Sequence, residues 1–315
     1  MNTRPLFWAL PALLAAVAAA SADVVTIGST RDTTIYGNNV NNSSGGAVVM
    51  FSGTDGNASV KRALVKFDAA SAVPVGSTVT GVQLTLFLGQ VAGNVTTGTT
   101  IIGLHRLTAD WGEGTNGAGA PISDVGQGFA ALDGDATWEN RFFSTTSPAP
   151  WANPGSDFIL ASSAQTTVGA TTNTGYTWLS TPALVADVQG WVDNPSYNSG
   201  WLLQNNDEVS MRTFRAFFTR EQTNSSLQPQ LQLTFTPAPP RPALTIQLSS
   251  GGQVQITATN LTPGLTNYLQ ASTNLSSSAD WVSMQTNVAS TNFSVFTGLS
   301  STSAPAQFYR LLQSP

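Results

Sequence analysis

The stretch 81-GVQLTLFLG-89 decides the fold. Val82, Leu84, Leu86 and Leu88 fall on one face, and Gln83 and Thr85 on the other. Alternation at every second residue is the period of a half-buried strand, because successive side chains leave the backbone on opposite sides. The segment 229-PQLQLTF-235 repeats the pattern, with Leu231, Leu233 and Phe235 set against Gln232 and Thr234. Further strands are expected at 24–28 (VVTIG), 47–51 (AVVMF), 62–67 (RALVKF), 100–107 (TIIGLHRL), 200–205 (GWLLQN) and 211–218 (MRTFRAFF), separated by Gly, Pro and Asn. One segment breaks the rule. In 180-STPALVADVQGWVDNP-195, Leu184, Val185, Val188, Trp191 and Val192 recur at helical spacing, with Thr181 as N-cap, Pro182 in the first turn and Asn194-Pro195 as the stop. The pattern predicts an all-β sandwich carrying one short helix.

Composition narrows the setting. Arg4 precedes an apolar run from Leu6 to Ala20, and Ala20-Ser21-Ala22 matches a signal-peptidase site, so residues 1–22 are expected to be a signal peptide and the protein to be secreted or displayed at the cell surface. The run is too short for a membrane span, and no later stretch approaches the roughly 20 apolar residues that a spanning helix needs. There is no cysteine, which removes disulfides, thiol chemistry and thiolate metal sites. A formal net charge of −5 with Lys61 and Lys66 as the sole lysines leaves no basic surface for nucleic acid or anionic membrane. The length, 315 residues, suggests two cores. The Pro-rich segment 237–242 (PAPPRP) reads as a stiff linker between a β-sandwich at 23–236 and a smaller one at 243–315, whose LTIQLS and QVQITATN again alternate.

An ordered series of segments resembles the exported β-domains of the DNRLRE family, which are grouped with carbohydrate-binding modules. The segments are RALVKFDAASAVPVGSTVTGVQLTLFL (62–88), HRLTADWGEGTNG (105–117), GDATWENRFF (134–143), WANPGSDF (151–158), LVADVQGWVDNPSYNSGWLLQNNDE (184–208), FFTRE (217–221) and QPQLQLTF (228–235). The resemblance spans about Asp23 to Phe235 and implies a jelly-roll-like sandwich that binds polysaccharide, with alginate-like or pectin-like chains as examples. The string that names the family is absent here, and Arg220-Glu221 is its nearest counterpart. The tail, with TNLSSSADWVSMQT (273–286) and AQFYRLLQ (306–313), resembles the fibronectin-type or immunoglobulin-like terminal modules of large bacterial exoproteins, which act as spacers or attachment units.

The chemistry-bearing residues concentrate in one window. Asp110, Glu113, Asp124, Asp133, Asp135 and Glu139 lie in a stretch without lysine or arginine, so their mutual repulsion must be spread out or neutralised. Calcium takes six to eight hard oxygens from flexible loops, and Asp110, Glu113, Asp133 and Asp135 in DWGEG and LDGDATW are the candidate ligands, at the weak extracellular affinity of about 0.1–1 mM. The competing reading is a hydrated loop. Trp111, Trp138 and Trp151 lie in Gly-, Pro- and Asn-rich surroundings, where their flat faces are expected to stack on sugar rings; alternatively they plug the ends of the sandwich. Arg212 and Arg215 are candidates to read a uronic acid through the planar guanidinium fork, whereas Arg220 is expected to pair with Glu221 or another of the protein's own carboxylates.

Catalysis finds little support. A serine triad needs a histidine, and His105 is the sole one, placed in an alternating strand. A carboxylate pair, as in glycoside hydrolysis, remains as a route to a hydrolase or lyase, but Asp110 and Glu113, three apart in a Gly-rich loop, fix no geometry. The expectation is an exported, non-catalytic polysaccharide-binding protein. The alternative is a structural or adhesive component of a cell surface or matrix.

Overall fold

A computed structural model describes residues 21–93, 98–239, 241–248, 253–275, 280–299 and 306–314. The expected signal peptide lies outside the described residues as far as Ala20, as does Pro240 of the expected linker. The chain divides into two compact units, one spanning Ala20–Ala238 and the other beginning at Pro239, so the division falls inside the Pro-rich segment.

Short bridges aside, the larger unit contains β1 (Asp23–Tyr36), β2 (Val49–Thr54), β3 (Val60–Phe67), β4 (Thr78–Val91), β5 (Thr100–Arg106), β6 (Ala164–Val168), β7 (Gly175–Trp178), α1 (Pro182–Asp193), β8 (Trp201–Asn205), β9 (Arg215–Phe218) and β10 (Gln230–Thr236). It is an all-β sandwich. On one side the order runs β1–β10–β4, and β4 also pairs with β7 and with β9. On the other side it runs β1–β3–β8–β5–β6. β1 belongs to both sheets. Asp23–Gly28 pairs with β10, a register shift falls between Ser29 and Arg31, and the rest of the strand pairs with β3. A bulge that turns a strand from one sheet to the next is how a sandwich makes a corner.

The alternation seen in the sequence sets the core. Leu84, Leu86, Leu88, Leu231 and Leu233 from one sheet meet Val65, Leu104, Trp201 and Leu203 from the other, all fully buried. α1 caps this interior with Leu184, Val188 and Trp191, and the rings of Trp191 and Trp201 are 4.4 Å apart. Thr181 is the N-cap of α1, its side chain accepting from the Leu184 amide, as the sequence predicts. Two differences from expectation stand out. A further helical turn occupies Ala69–Ala72, and the strand expected at 211–218 begins only at Arg215, because Arg212 adopts a left-handed conformation with φ 64° that ends any extended run.

The second sheet also carries a layer on its outer face. Ile35, Leu64 and Leu202 point outward and are covered by Leu107, Trp111, Ala136 and Trp151 from the long β5–β6 connection. That cover extends over part of the sheet and leaves the next row of outward positions open.

The smaller unit comprises β11 (Ala243–Leu248), β12 (Val254–Thr259), β13 (Thr266–Ser272), β14 (Val282–Val288), β15 (Phe293–Leu299) and β16 (Phe308–Ser314). These form two three-stranded sheets, β11–β12–β15 and β14–β13–β16. Val254, Ile256, Leu269, Phe296 and Leu299 supply its core. Among the described residues no helix is long and apolar enough to cross a membrane.

Candidate functional site

The structure corrects the reading of the loop tryptophans. Trp111 is 0% and Trp151 4% exposed. Each ring has its polar edge satisfied internally, Trp111 Nε1 donating to the Ser199 carbonyl and Trp151 Nε1 to the Thr137 carbonyl, both at 2.9 Å. Trp138 is half-buried beneath the Arg62 guanidinium, 5.0 Å from its centroid. The physical reason is that the Gly-rich connection folds down as a lid on Leu64 and Leu202, and its indoles are the apolar area that holds it there. Glycine makes this close approach possible: a Cβ on Gly112 would lie 1.6 Å from the Gly134 carbonyl oxygen.

The four acids expected to share a metal do not converge. Asp110 accepts from Lys66 Nζ at 2.9 Å and Arg31 Nη1 at 3.4 Å. Burial opposes its ionisation, but the Lys66 and Arg31 charges outweigh that and hold its pKa below the ordinary value. Asp133 accepts from Ser144 Oγ and the Thr145 amide. Asp135 is buried and accepts from Asn116 Nδ2 at 2.6 Å and the Leu132 amide at 2.9 Å, and burial pushes its pKa up. Glu113 alone reaches another carboxylate group. Its Oε1 takes the Asp32 amide (2.8 Å) and Arg220 Nε (2.8 Å), and its Oε2 takes Arg220 Nη2 (2.7 Å). Arg220 Nε also lies 3.2 Å from Glu221 Oε1, so the pairing expected for Arg220 is present with two partners. Among the described residues, Asp32, Glu113 and Glu221 are the acids whose oxygens come within 4.8 Å of one another.

Arg215 is likewise corrected. It is 2% exposed, and its guanidinium donates to the carbonyls of Gly169, Thr213, Phe214 and Gly98. Those four bonds occupy four of its five N–H donors and hold the fork to the protein's own backbone. Arg212 is exposed and donates from Nη1 to the Gly93 carbonyl. Both arginines border a recess of about 150 Å³ with Thr99, Thr100, Asp207 and Thr213.

A groove that the sequence did not indicate lies on the open part of the second sheet. It encloses about 610 Å³. Its floor follows from strand register: Gln165 pairs across from Gly103, and Gly103 from Gln204, which places one outward row over β6, β5 and β8. Gly103 in the middle has no side chain, and the His105 ring lies over it: an added Cβ would stand 2.8 Å from His105 Nε2. His105, Leu160, Ser162, Asn206, Glu208 and Val209 form the walls. A shallower depression continues over Ile101 and Thr167.

The groove's charges are internally matched. Glu208 receives Arg62 Nε at 2.9 Å and Nη2 at 2.7 Å, and Gln204 Nε2 at 3.1 Å. His105 Nδ1 lies 3.1 Å from the Ile159 carbonyl oxygen. A carbonyl only accepts, so Nδ1 carries the proton and Nε2 is left as an acceptor above Gly103. Burial of the ring lowers its pKa, with the nearby Arg62 charge adding to the effect, which favours this neutral form. The result is an open surface of amides, one imidazole and scattered apolar atoms, whose one carboxylate is neutralised by Arg62.

Fold and groove together define a class: an all-β sandwich domain that presents a polar, open sheet face. The chain matches no family model, and no curated protein is similar enough to match it.

Proposed function

We propose that the protein is an exported, non-catalytic polysaccharide-binding protein, and that the groove over Gln165, Gly103 and Gln204 is its binding site. The observation that carries this reading is the lining of the groove. Amide groups from Gln165, Gln204 and Asn206 both donate and accept, which suits the paired donor and acceptor character of sugar hydroxyls. Exposed Leu160, at 84%, and Ile101, at 42%, offer apolar contact to the carbon-hydrogen faces of pyranose rings in the role first expected of the tryptophans. A groove open to solvent, with a shallower depression beside it over Ile101 and Thr167, leaves room for a chain that continues beyond the site. The ordered resemblance to DNRLRE-type domains and the secretory leader expected at 1–22 support the same reading.

Glu208, the one carboxylate lining the groove, has both oxygens tied to Arg62, which leaves no free acid to pair with a second one across a glycosidic bond. Beside the groove, a uronic acid carboxylate would meet the exposed guanidinium of Arg212 at the neighbouring recess. Affinity electrophoresis of the full chain against a panel of neutral and uronate polysaccharides tests the proposal. Retardation by at least one glycan, abolished in the Gln165→Ala/Gln204→Ala double variant, is expected. No retardation by any glycan, or retardation that the double variant leaves intact, would overturn it.

A second reading, a structural or adhesive component, draws on the smaller unit. Leu248, Val282, Val288 and Phe293 are all more than half exposed there, on strands of both sheets. Adsorption of the isolated smaller unit to apolar particles, lost on replacing these side chains with serine, would favour that role.

A further inference from the structure

The corner strand β1 carries a buried acid that neither the core nor the groove explains. Asp32 is 0% exposed and directly follows the register shift where β1 passes between sheets. Its Oδ2 accepts from Ser29 Oγ (2.8 Å) and the Arg220 amide (3.1 Å), but its Oδ1 has no partner. Glu221 stands in the same cluster, and its Oε2 is also buried and unpartnered. Glu113 completes the group from the lid. Leaving a buried carboxylate oxygen without a donor costs free energy, and here two such atoms fall on two carboxylates of one cluster.

Charge makes the same point. Three carboxylates meet one guanidinium, Arg220, while Arg31 and Lys66 are taken up by Asp110. Counted with Asp110, four carboxylates face three cations, so the neighbourhood stays net negative and favours a bound cation. All the donors are hard carboxylate oxygens, with no imidazole or sulfur, which selects calcium over zinc or copper. The three oxygens lie within 4.8 Å of one another, close enough for one Ca2+ ion to reach all three at about 2.4 Å.

We infer that Asp32, Glu113 and Glu221 bind one Ca2+ ion, which joins the corner of the sandwich, the acidic lid and the segment after β9. The inference is independent of the saccharide reading. It replaces the ligand set expected from the sequence, keeping only Glu113. The ion would fasten three segments far apart in the chain, so its binding stabilises the folded state alone.

The test uses the full chain stripped with chelator, followed by equilibrium dialysis against CaCl2 and by thermal melting. One Ca2+ per chain is expected, with a dissociation constant on the order of 0.1–1 mM and a melting temperature that climbs with calcium. Glu221→Gln and, separately, Glu113→Gln are expected to weaken uptake at least tenfold, and Asp110→Asn to leave it unchanged. Tb3+ added to the unsubstituted chain, excited through tryptophan, gives a readout that does not depend on the variants folding; its sensitised emission should be displaced by Ca2+. Absence of calcium uptake by the unsubstituted chain would overturn the site and leave a proton as the balancing charge. Uptake that survives in both glutamine variants, or that gives no sensitised emission, would also overturn it.

Discussion

An indole contributes most to a protein where water cannot reach its ring and a carbonyl can reach its nitrogen, and Trp111 meets both conditions. Trp111→Ala is therefore expected to cost about 3–5 kcal/mol in urea denaturation, the range for emptying a large buried aromatic site. Trp138→Ala, whose ring is half-buried under Arg62, should cost less. A near-neutral Trp111→Ala would mean that the lid is not held by its indoles. A second residue-scale prediction concerns Lys61, 1% exposed, whose ammonium lies 2.7 Å from Asp55 Oδ2. Burial opposes ionisation of Asp55, but the Lys61 bond and the amides of Asn57 and Ser59 prevail and hold its pKa at about 2, against an ordinary 3.8. A carboxylate depressed in the folded state stabilises it above the unfolded pKa, and that share is lost as pH falls from about 4 through about 2. Asp55→Asn should flatten this part of the melting-temperature profile. At neutral pH it should also destabilise by about 3 kcal/mol, since it strands a buried ammonium. Lys61→Met, which leaves Asp55 its backbone donors, should cost less than Asp55→Asn.

At the scale of elements, the groove depends on which row of a strand is left uncovered. β5 alternates Ile102 and Leu104 into the core with Ile101, Gly103 and His105 outward, and the lid stops before reaching the Gly103 row. Gln204→Ala and Gln165→Ala each remove hydrogen-bonding groups from that row, at about 1 kcal/mol per bond, so each should weaken saccharide binding roughly five- to tenfold with little change in melting temperature. Gly103→Ala should weaken it further, because the new methyl group displaces the His105 ring into the groove. Affinity electrophoresis of the three variants checks the order. Strand alternation was legible in the sequence because its period is intrinsic to the strand, and so was α1 with its Thr181 cap. The groove was not, because it arises from three strands whose pairing joins Gln165, Gly103 and Gln204 across distant parts of the chain. The lid misled for a related reason: Gly, Asn and Pro around a tryptophan mark an irregular backbone but do not tell whether that backbone stands in water or lies on a sheet. Likewise Asp32 and Glu221 meet only through the folding of β1 and the segment after β9, and no spacing announces them.

At the scale of the whole molecule, charge separates the ligands that the surface can attract. The chain carries a net −5, so its long-range field repels polyanions. The groove adds no compensating cation, since Arg62 is committed to Glu208 and the buried His105 is held neutral. Hydroxyl recognition by amides is short-range and hardly screened, whereas attraction of a uronate to the exposed Arg212 acts across water and weakens with the ionic atmosphere. Retardation by a neutral polysaccharide should therefore change less than twofold between about 0.05 and 0.5 M NaCl, where the screening length shrinks to several Å. Any binding of a uronate polymer should fall steeply over the same range and be lost in Arg212→Ala, while neutral binding survives that substitution. The division of the chain at Ala238 makes the comparison cleaner, because Asp23–Ala238 contains the groove, the recess and the acidic cluster within one compact unit. Expressed alone, that segment should melt cooperatively and reproduce both salt profiles. Strong salt dependence of neutral binding would mean that charge, and not the amide row, holds the saccharide.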